Sequence, residues 1–238
     1  MSVPRSPRPA PVPFHETAGD EPAVHGTLHP AAGEAASGLV LAHGAGSSSD
    51  SPLLVALADA LASRGVTVLR CDLPFRQARR RGPPSPGGAG RDRAGLRAAV
   101  GALTRTGVPR VSLGGHSYGG RQASLLAAED PAVAPALLLL SYPLHPPGRP
   151  EDTRTAHFPR LRTPALFVHG ADDPFGSVTE LQGALALIPG PTTLHVEPEV
   201  GHDLGASRRG HHVLPDLTTR IAERWIALAP ASPAANLI

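Results

Sequence analysis

Three residues that are far apart in this sequence, Ser117, Asp173 and His202, together have the side chains needed to attack an acyl group. A serine hydroxyl is a weak nucleophile near neutral pH, because its proton must be removed as it attacks. It therefore needs a histidine as base and a carboxylate to orient that histidine. We predict acyl chemistry with Ser117 as nucleophile, His202 as base and Asp173 as the acid.

The pattern around the serine is the most specific of these signals. Ser117 is preceded by Gly115 and followed by Gly119, and the pattern comes directly after the apolar run Val111-Ser112-Leu113. At the end of a buried strand and the start of a helix, such a serine occupies a strained turn that lifts its hydroxyl above the sheet. Side chains at 115 and 119 would clash with the adjacent strand and helix, which explains the two glycines.

The sequence offers alternatives for the acid and for the base. Asp173 has the usual register for the acid after the turn that ends its strand, whereas Asp172 would cap that turn or face solvent. His202 lies in a loop after the last predicted strand, where a base can reach the serine. Three other histidines are predicted to be structural or superficial: His195, His211 and His212.

Two backbone amides are expected to stabilise the negative oxygen that develops on the substrate carbonyl. One belongs to Tyr118, which follows the serine at the start of a helix. The other belongs to Ala45, in the run of small residues at 43–46 after the first buried strand. Preorganised amide donors of this kind form an oxyanion hole. A plain glycine-rich turn is the alternative explanation of that run.

Three further residues are candidates for substrate contact: His43, Tyr142 and Arg76. The arginines between Arg76 and Arg81 follow the carboxyl end of a predicted strand, the sheet edge at which ligands usually bind. The segment from 76 to 90 is interpreted either as a solvated surface loop or as a contact for an anionic group. His43 is interpreted alternatively as a structural partner within its own loop.

Short apolar runs alternate with longer amphipathic segments along the chain, which predicts an α/β fold with a mostly parallel, doubly wound sheet and helices on both faces. A leading hairpin is expected within 14–27. The proline-rich segment 141–163 has little helical periodicity, so no large lid is expected. Strands are predicted at 38–42, 66–70, 111–113, 135–140, 164–168 and 192–196, and helices at 52–63, 92–106, 118–128, 177–188 and 214–227.

Length and composition predict one domain at 14–229, after a disordered lead at 1–13 and before a flexible tail at 230–238. The net charge of +2 is too small to favour nucleic acid as a partner. The chain has neither a signal-peptide pattern nor an apolar stretch of membrane-spanning length, so a cytoplasmic location and no membrane partner are expected. The single cysteine, Cys71, excludes an internal disulfide and is expected to pack as a small hydrophobe.

These motifs together resemble the alpha/beta-hydrolase superfamily and, within it, the small, lidless dienelactone-hydrolase-like group. The resemblance spans roughly residues 38–228 and is carried by LAHGAG (41–46), DLPFR (72–76), GHSYGG (115–120), SYPLH (141–145), HGADDPFG (169–176) and GHD (201–203). True dienelactone hydrolases have a cysteine at the position of Ser117.

The resemblance implies a carboxylesterase-like serine hydrolase that acts on a small-molecule acyl substrate through a Ser-His-Asp triad. It implies that neither a metal nor an organic cofactor takes part. Two alternatives use the same fold: a non-catalytic interaction domain, and an acyltransferase that passes the acyl group to an acceptor other than water.

Overall fold

The computed structural model describes residues 9–85, 87–207 and 212–228. Its strands are Val12–Glu16 (β1), Val24–His29 (β2), Ser37–Ala42 (β3), Val66–Asp72 (β4), Val111–His116 (β5), Leu137–Leu140 (β6), Ala165–Gly170 (β7) and Thr192–Glu197 (β8). Its helices are Pro52–Ala62 (α1), Pro74–Ala78 (α2), Ala89–Arg105 (α3), Tyr118–Glu129 (α4), Val178–Leu185 (α5) and Leu214–Leu228 (α6), with a 3₁₀ turn at Phe158–Arg160.

The strands form one sheet in the order β1-β2-β4-β3-β5-β6-β7-β8. The strands from β3 to β8 pair in parallel, β2 is antiparallel to β4, and β1 and β2 form the predicted hairpin. β3 pairs with both β4 and β5, so the strand after β3 lies on one side of it and the next strand lies on the other. The carboxyl ends of β3 and β5 therefore flank the crevice in which α/β sheets bind ligands.

The parallel strands are buried on both faces, because helices cover each side of the sheet. Along β3, Leu39 and Leu41 join one apolar layer and Val40 joins the other, as the two-residue repeat of a strand requires. The first layer also contains Leu57 of α1 and Ile221 of α6. These side chains are fully buried, and burying each one stabilises the fold by about 1.5–3 kcal/mol.

The structure differs from the prediction in the bounds of several elements; α3, for example, begins at Ala89 rather than at 92, and α5 ends at Leu185 rather than at 188. Helix α2 forms at the start of the predicted 76–90 loop, with Pro74 in its first turn, where a proline costs no hydrogen bond. β1 begins at Val12, two residues before the start of the hairpin expected within 14–27. Most of the predicted lead, all of the predicted tail and His211 lie outside the described residues.

Two other expectations, for segment 141–163 and for Cys71, agree with the structure. Segment 141–163, all of which is described, contains the 3₁₀ turn and no longer helix. Cys71 is buried, and burial raises the pKa of its thiol to about 12, so it packs as a hydrophobe. Within the described ranges, no helix is both long enough and apolar enough to cross a membrane.

Candidate active site

Ser117 occupies a sharp turn between β5 and α4. Its backbone has φ 51° and ψ −114°, a conformation that L residues rarely adopt, and its amide donates to the Leu140 carbonyl at 2.8 Å. A Cβ atom on Gly115 would lie 2.6 Å from the carbonyl oxygen of Ala42, and one on Gly119 would lie 2.7 Å from the same atom. The predicted clashes at 115 and 119 are confirmed, and they explain why the turn needs both glycines.

A chain of hydrogen bonds joins the serine to a histidine and a carboxylate from other strand ends. Oγ of Ser117 lies 2.8 Å from Nε2 of His202, and Nδ1 of His202 lies 2.8 and 3.0 Å from the two carboxylate oxygens of Asp173. Because an ionised carboxylate only accepts, Nδ1 carries the proton and Nε2 presents a lone pair to the serine hydroxyl. The geometry is that of a nucleophile, a base and its orienting group.

The turn after β7 holds Asp173 in place. The Phe175 amide donates to its Oδ1 at 2.9 Å, and the side chain of Asp173 is fully buried. His169 donates from Nε2 to the Gly176 carbonyl at 2.7 Å, which fixes the far side of the same turn. Asp172, the alternative acid, is exposed, and its amide bonds to a neighbouring loop instead.

Two aromatic side chains that sequence reasoning missed hold His202. The ring of Phe175 stacks on the imidazole with centroids 4.1 Å apart, and His116 donates from Nε2 to the His202 carbonyl at 2.7 Å. Burial lowers the pKa of His116 to about 4, so it adds no positive charge beside the base near neutral pH. The side chain of His202 stays 19% exposed, which leaves it open to a substrate.

A cavity of about 560 Å³ opens over Ser117 and His202. Ala45 and Tyr118 both line it. The Ser47 amide donates to the Gly44 carbonyl at 3.1 Å, which closes the tight turn that carries Ala45. Within the described residues, neither the Ala45 nor the Tyr118 amide donates a hydrogen bond, so both are available to a ligand.

In that same part of the chain, no group of three or more His, Cys, Asp or Glu residues is placed to hold a metal ion.

His43, one of the three residues predicted to contact substrate, is not among the residues that line the cavity. It is fully buried, donates from Nδ1 to the Gly44 carbonyl at 2.8 Å and accepts the Leu73 amide at Nε2 at 3.2 Å. Burial lowers its pKa. The structural alternative for His43 therefore fits the structure, because both ring nitrogens are used to support the loop after β3.

Arg76 and Tyr142, the other two, also lie outside the cavity lining. Arg76 is buried, and its guanidinium donates to four backbone carbonyls, including those of Ala45 at 2.8 Å and Ser47 at 2.7 Å. Tyr142 is buried too, and its hydroxyl donates to the Arg154 carbonyl at 2.7 Å. Both side chains have structural contacts: Arg76 braces the loop of Ala45, and Tyr142 anchors the segment after β6.

A second serine–histidine pair lies away from the cavity. Oγ of Ser124 is 2.8 Å from Nε2 of His157 and 2.9 Å from the Arg121 carbonyl. Both side chains are buried, neither lines the cavity, and burial lowers the pKa of His157 to about 4. This pair ties α4 to the 3₁₀ turn, and a substrate in the cavity would not reach it.

Several solved structures have the same fold. The dienelactone hydrolase from Anabaena variabilis is 22% identical, with a TM-score of 0.72 over 94% of this chain and 100% of that chain. Est1E from Butyrivibrio proteoclasticus is 19% identical, with a TM-score of 0.70 over 91% and 98%. A lidless α/β serine hydrolase from Xanthomonas campestris is 19% identical, with a TM-score of 0.64 over 97% and 100%.

A sequence model of a family also matches most of the chain. The family is described as an alpha/beta hydrolase domain, and its model matches residues 35–229. The match begins just before β3 and includes the ends of β5 and β7, the loop after β8 and α6. This chain therefore belongs to the alpha/beta-hydrolase family.

Proposed function

We propose that this protein is a serine hydrolase that cleaves an ester or related acyl bond of a small molecule through an acyl-enzyme intermediate. One observation carries the proposal: the hydrogen-bonded chain from Asp173 through His202 to Ser117 ends at an open cavity. The serine hydrolase from Xanthomonas campestris, which shares the fold, supports the same class.

In the first half of the reaction, Oγ of Ser117 attacks the substrate carbonyl carbon and its proton passes to Nε2 of His202. The carboxylate of Asp173 stabilises the imidazolium that forms. The carbonyl oxygen becomes an oxyanion, and the amides of Ala45 and Tyr118 donate to it. Each oxyanion-hole donor contributes about 10²–10³-fold to the rate of such reactions. The imidazolium then protonates the leaving alcohol, and the acyl group remains on Ser117.

In the second half, water replaces the alcohol. His202 takes a proton from the water as it attacks the acyl carbon, and the same two amides stabilise the second oxyanion. The imidazolium returns the proton to Oγ of Ser117, which releases the carboxylic acid. The balance is one ester and one water converted to one acid and one alcohol, and the enzyme is regenerated.

The test compares two serines that both bond to a histidine in this chain. Turnover of p-nitrophenyl acetate is measured for the wild type, Ser117→Ala and Ser124→Ala, with the fold of each checked by circular dichroism. We expect Ser117→Ala to lower kcat/KM by at least about 10⁴-fold, because the nucleophile is lost. Ser124→Ala should retain turnover within about tenfold, since Ser124 is buried outside the cavity.

Two outcomes would contradict the proposal. Turnover that persists in folded Ser117→Ala would exclude this serine as the nucleophile. A folded wild type that hydrolyses none of a panel of acyl esters and amides would favour the non-catalytic interaction domain instead.

A further inference from the structure

Two arginines line the cavity above the serine, and among the described residues neither forms a salt bridge with Asp or Glu. Arg121 is one helical turn beyond Ser117, and its amide donates to the Ser117 carbonyl at 2.9 Å. Arg154 comes from the segment after β6. None of the described residues that line the cavity is Asp or Glu. Asp152, an acidic residue close in sequence to Arg154, forms its salt bridge with Arg149 at 3.2 Å, and its charge offsets only part of the lowering of the Arg154 pKa.

Some hydrogen-bond donors of these two arginines are unused within the described protein, although the guanidinium of Arg121 also lies against the Tyr142 hydroxyl. Nε of Arg121 is buried and has no described acceptor, which leaves the cost of its desolvation uncompensated. The guanidinium of Arg154 donates to the Pro143 carbonyl at 3.4 Å, the long end of the hydrogen-bond range. Arg76 is different, because its guanidinium is used by four carbonyls.

The two guanidinium groups also repel each other. Burial, and next the positive charge of Arg121, lower the pKa of Arg154. A negatively charged group between them would offset this repulsion and supply acceptors for the unused donors. A carboxylate has the planar, two-oxygen shape that accepts paired N–H donors from arginine.

We propose that Arg121 and Arg154 form a carboxylate-binding subsite, so that the natural acyl substrate carries a carboxylate besides the bond that is cleaved. The assignment of the bound group as a substrate rests on the proposed hydrolase function. The binding of a carboxylate by the two arginines does not depend on catalysis. The subsite and the chemistry can therefore be tested separately.

The binding test uses benzoate and its neutral, nearly isosteric partner benzamide, measured by titration calorimetry on the whole protein. We expect the wild type to bind benzoate at least about tenfold more tightly, and Arg121→Gln and Arg154→Gln each to reduce that preference about tenfold. Arg160→Gln is the matched control, because Arg160 is exposed and lies outside the cavity lining. It should keep the preference.

Three results would overturn the subsite: no preference for benzoate in the wild type, an unchanged preference in Arg121→Gln and Arg154→Gln, or no binding of either probe. Each variant is checked by thermal unfolding, so that a loss of binding is not a loss of fold.

A kinetic comparison separates failure of the subsite from failure of the hydrolase proposal. The ratio of kcat/KM for 4-acetoxybenzoate to that for its methyl ester is measured in the same proteins. Each glutamine variant should lower this ratio about tenfold, and Arg160→Gln should not change it. An unchanged ratio with both esters hydrolysed overturns the subsite and leaves the hydrolase standing. Benzoate binding that needs both arginines, without turnover of either ester, overturns the hydrolase and leaves the subsite standing.

Discussion

Replacing Asp173 by asparagine tests how the turn after β7 controls the base. In the wild type, Oδ1 of Asp173 accepts the Phe175 amide at 2.9 Å and lies 3.0 Å from Nδ1 of His202, and Oδ2 lies nearer to the same nitrogen, at 2.8 Å. An asparagine that keeps the bond to the Phe175 amide therefore has its oxygen at the Oδ1 position and its NH₂ group at the Oδ2 position, the nearer of the two to Nδ1 of His202.

This orientation reverses the tautomer of the base. An NH₂ group facing Nδ1 of His202 makes that nitrogen an acceptor, so the proton moves to Nε2 and no lone pair faces Ser117. Turning the amide to restore the productive tautomer forfeits the bond from the Phe175 amide. Leaving a buried polar group unpaired costs about 1–3 kcal/mol. Since about 1.4 kcal/mol is tenfold in rate, this cost alone lowers kcat/KM by about 5–150-fold, and the loss of the carboxylate charge that stabilises the imidazolium lowers it further.

The assay is hydrolysis of p-nitrophenyl acetate, corrected for the uncatalysed reaction. Asp172→Asn is the matched control, because it makes the same chemical change at an exposed neighbour. We expect Asp172→Asn to match the wild type and Asp173→Asn to stay folded with its activity nearly lost. Activity of folded Asp173→Asn within about tenfold of the wild type would refute the tautomer argument.

Two further predictions concern stability. Gly119→Ala would place a Cβ atom 2.7 Å from the Ala42 carbonyl oxygen, so it should lower the free energy of unfolding by about 1–3 kcal/mol in a urea titration. Gly183→Ala, which meets open space, should not lower it. Burial lowers the pKa of His116 and His157 to about 4, so the unfolded chain binds more protons at these groups below pH 6.5. The free energy of unfolding that these two groups contribute above pH 6.5 should therefore be lost as the pH falls toward 4. Equal free energies of unfolding at pH 7 and pH 5 would contradict this.

The three catalytic candidates could be predicted from the sequence, because the backbone around each of them requires particular residue types at particular positions. Gly115 and Gly119 mark positions where another strand or loop approaches too closely for a Cβ atom, so the serine turn is visible in the residue types alone. Parallel strands end at one edge of a sheet, which predicts that Ser117, Asp173 and His202 lie near one another. Their hydrogen bonds follow that expectation, whereas their catalytic roles stay a prediction.

The lining of the cavity was less accessible, because contacts between distant loops decide which side chains reach it. From the sequence, Arg76 is interpreted as a residue of a surface loop. In the structure its guanidinium donates to the carbonyls of Ala45 and Ser47, which the sequence alone does not place beside it. Arg121 had a readable signal, since it lies four residues beyond Ser117 and thus on the same face of the helix. Arg154 had none, because it belongs to an irregular segment without periodicity.

The most direct test of the central claim is to identify the residue that a fluorophosphonate modifies. Folded protein is treated with the reagent, digested, and the modified peptide is mapped by mass spectrometry. We expect one adduct, on Oγ of Ser117, that is absent from Ser117→Ala, preserved in Ser124→Ala and formed much more slowly in Asp173→Asn. Folded wild-type protein that stays unmodified, or that is modified elsewhere with Ser117 free, would contradict the claim that this serine is the nucleophile.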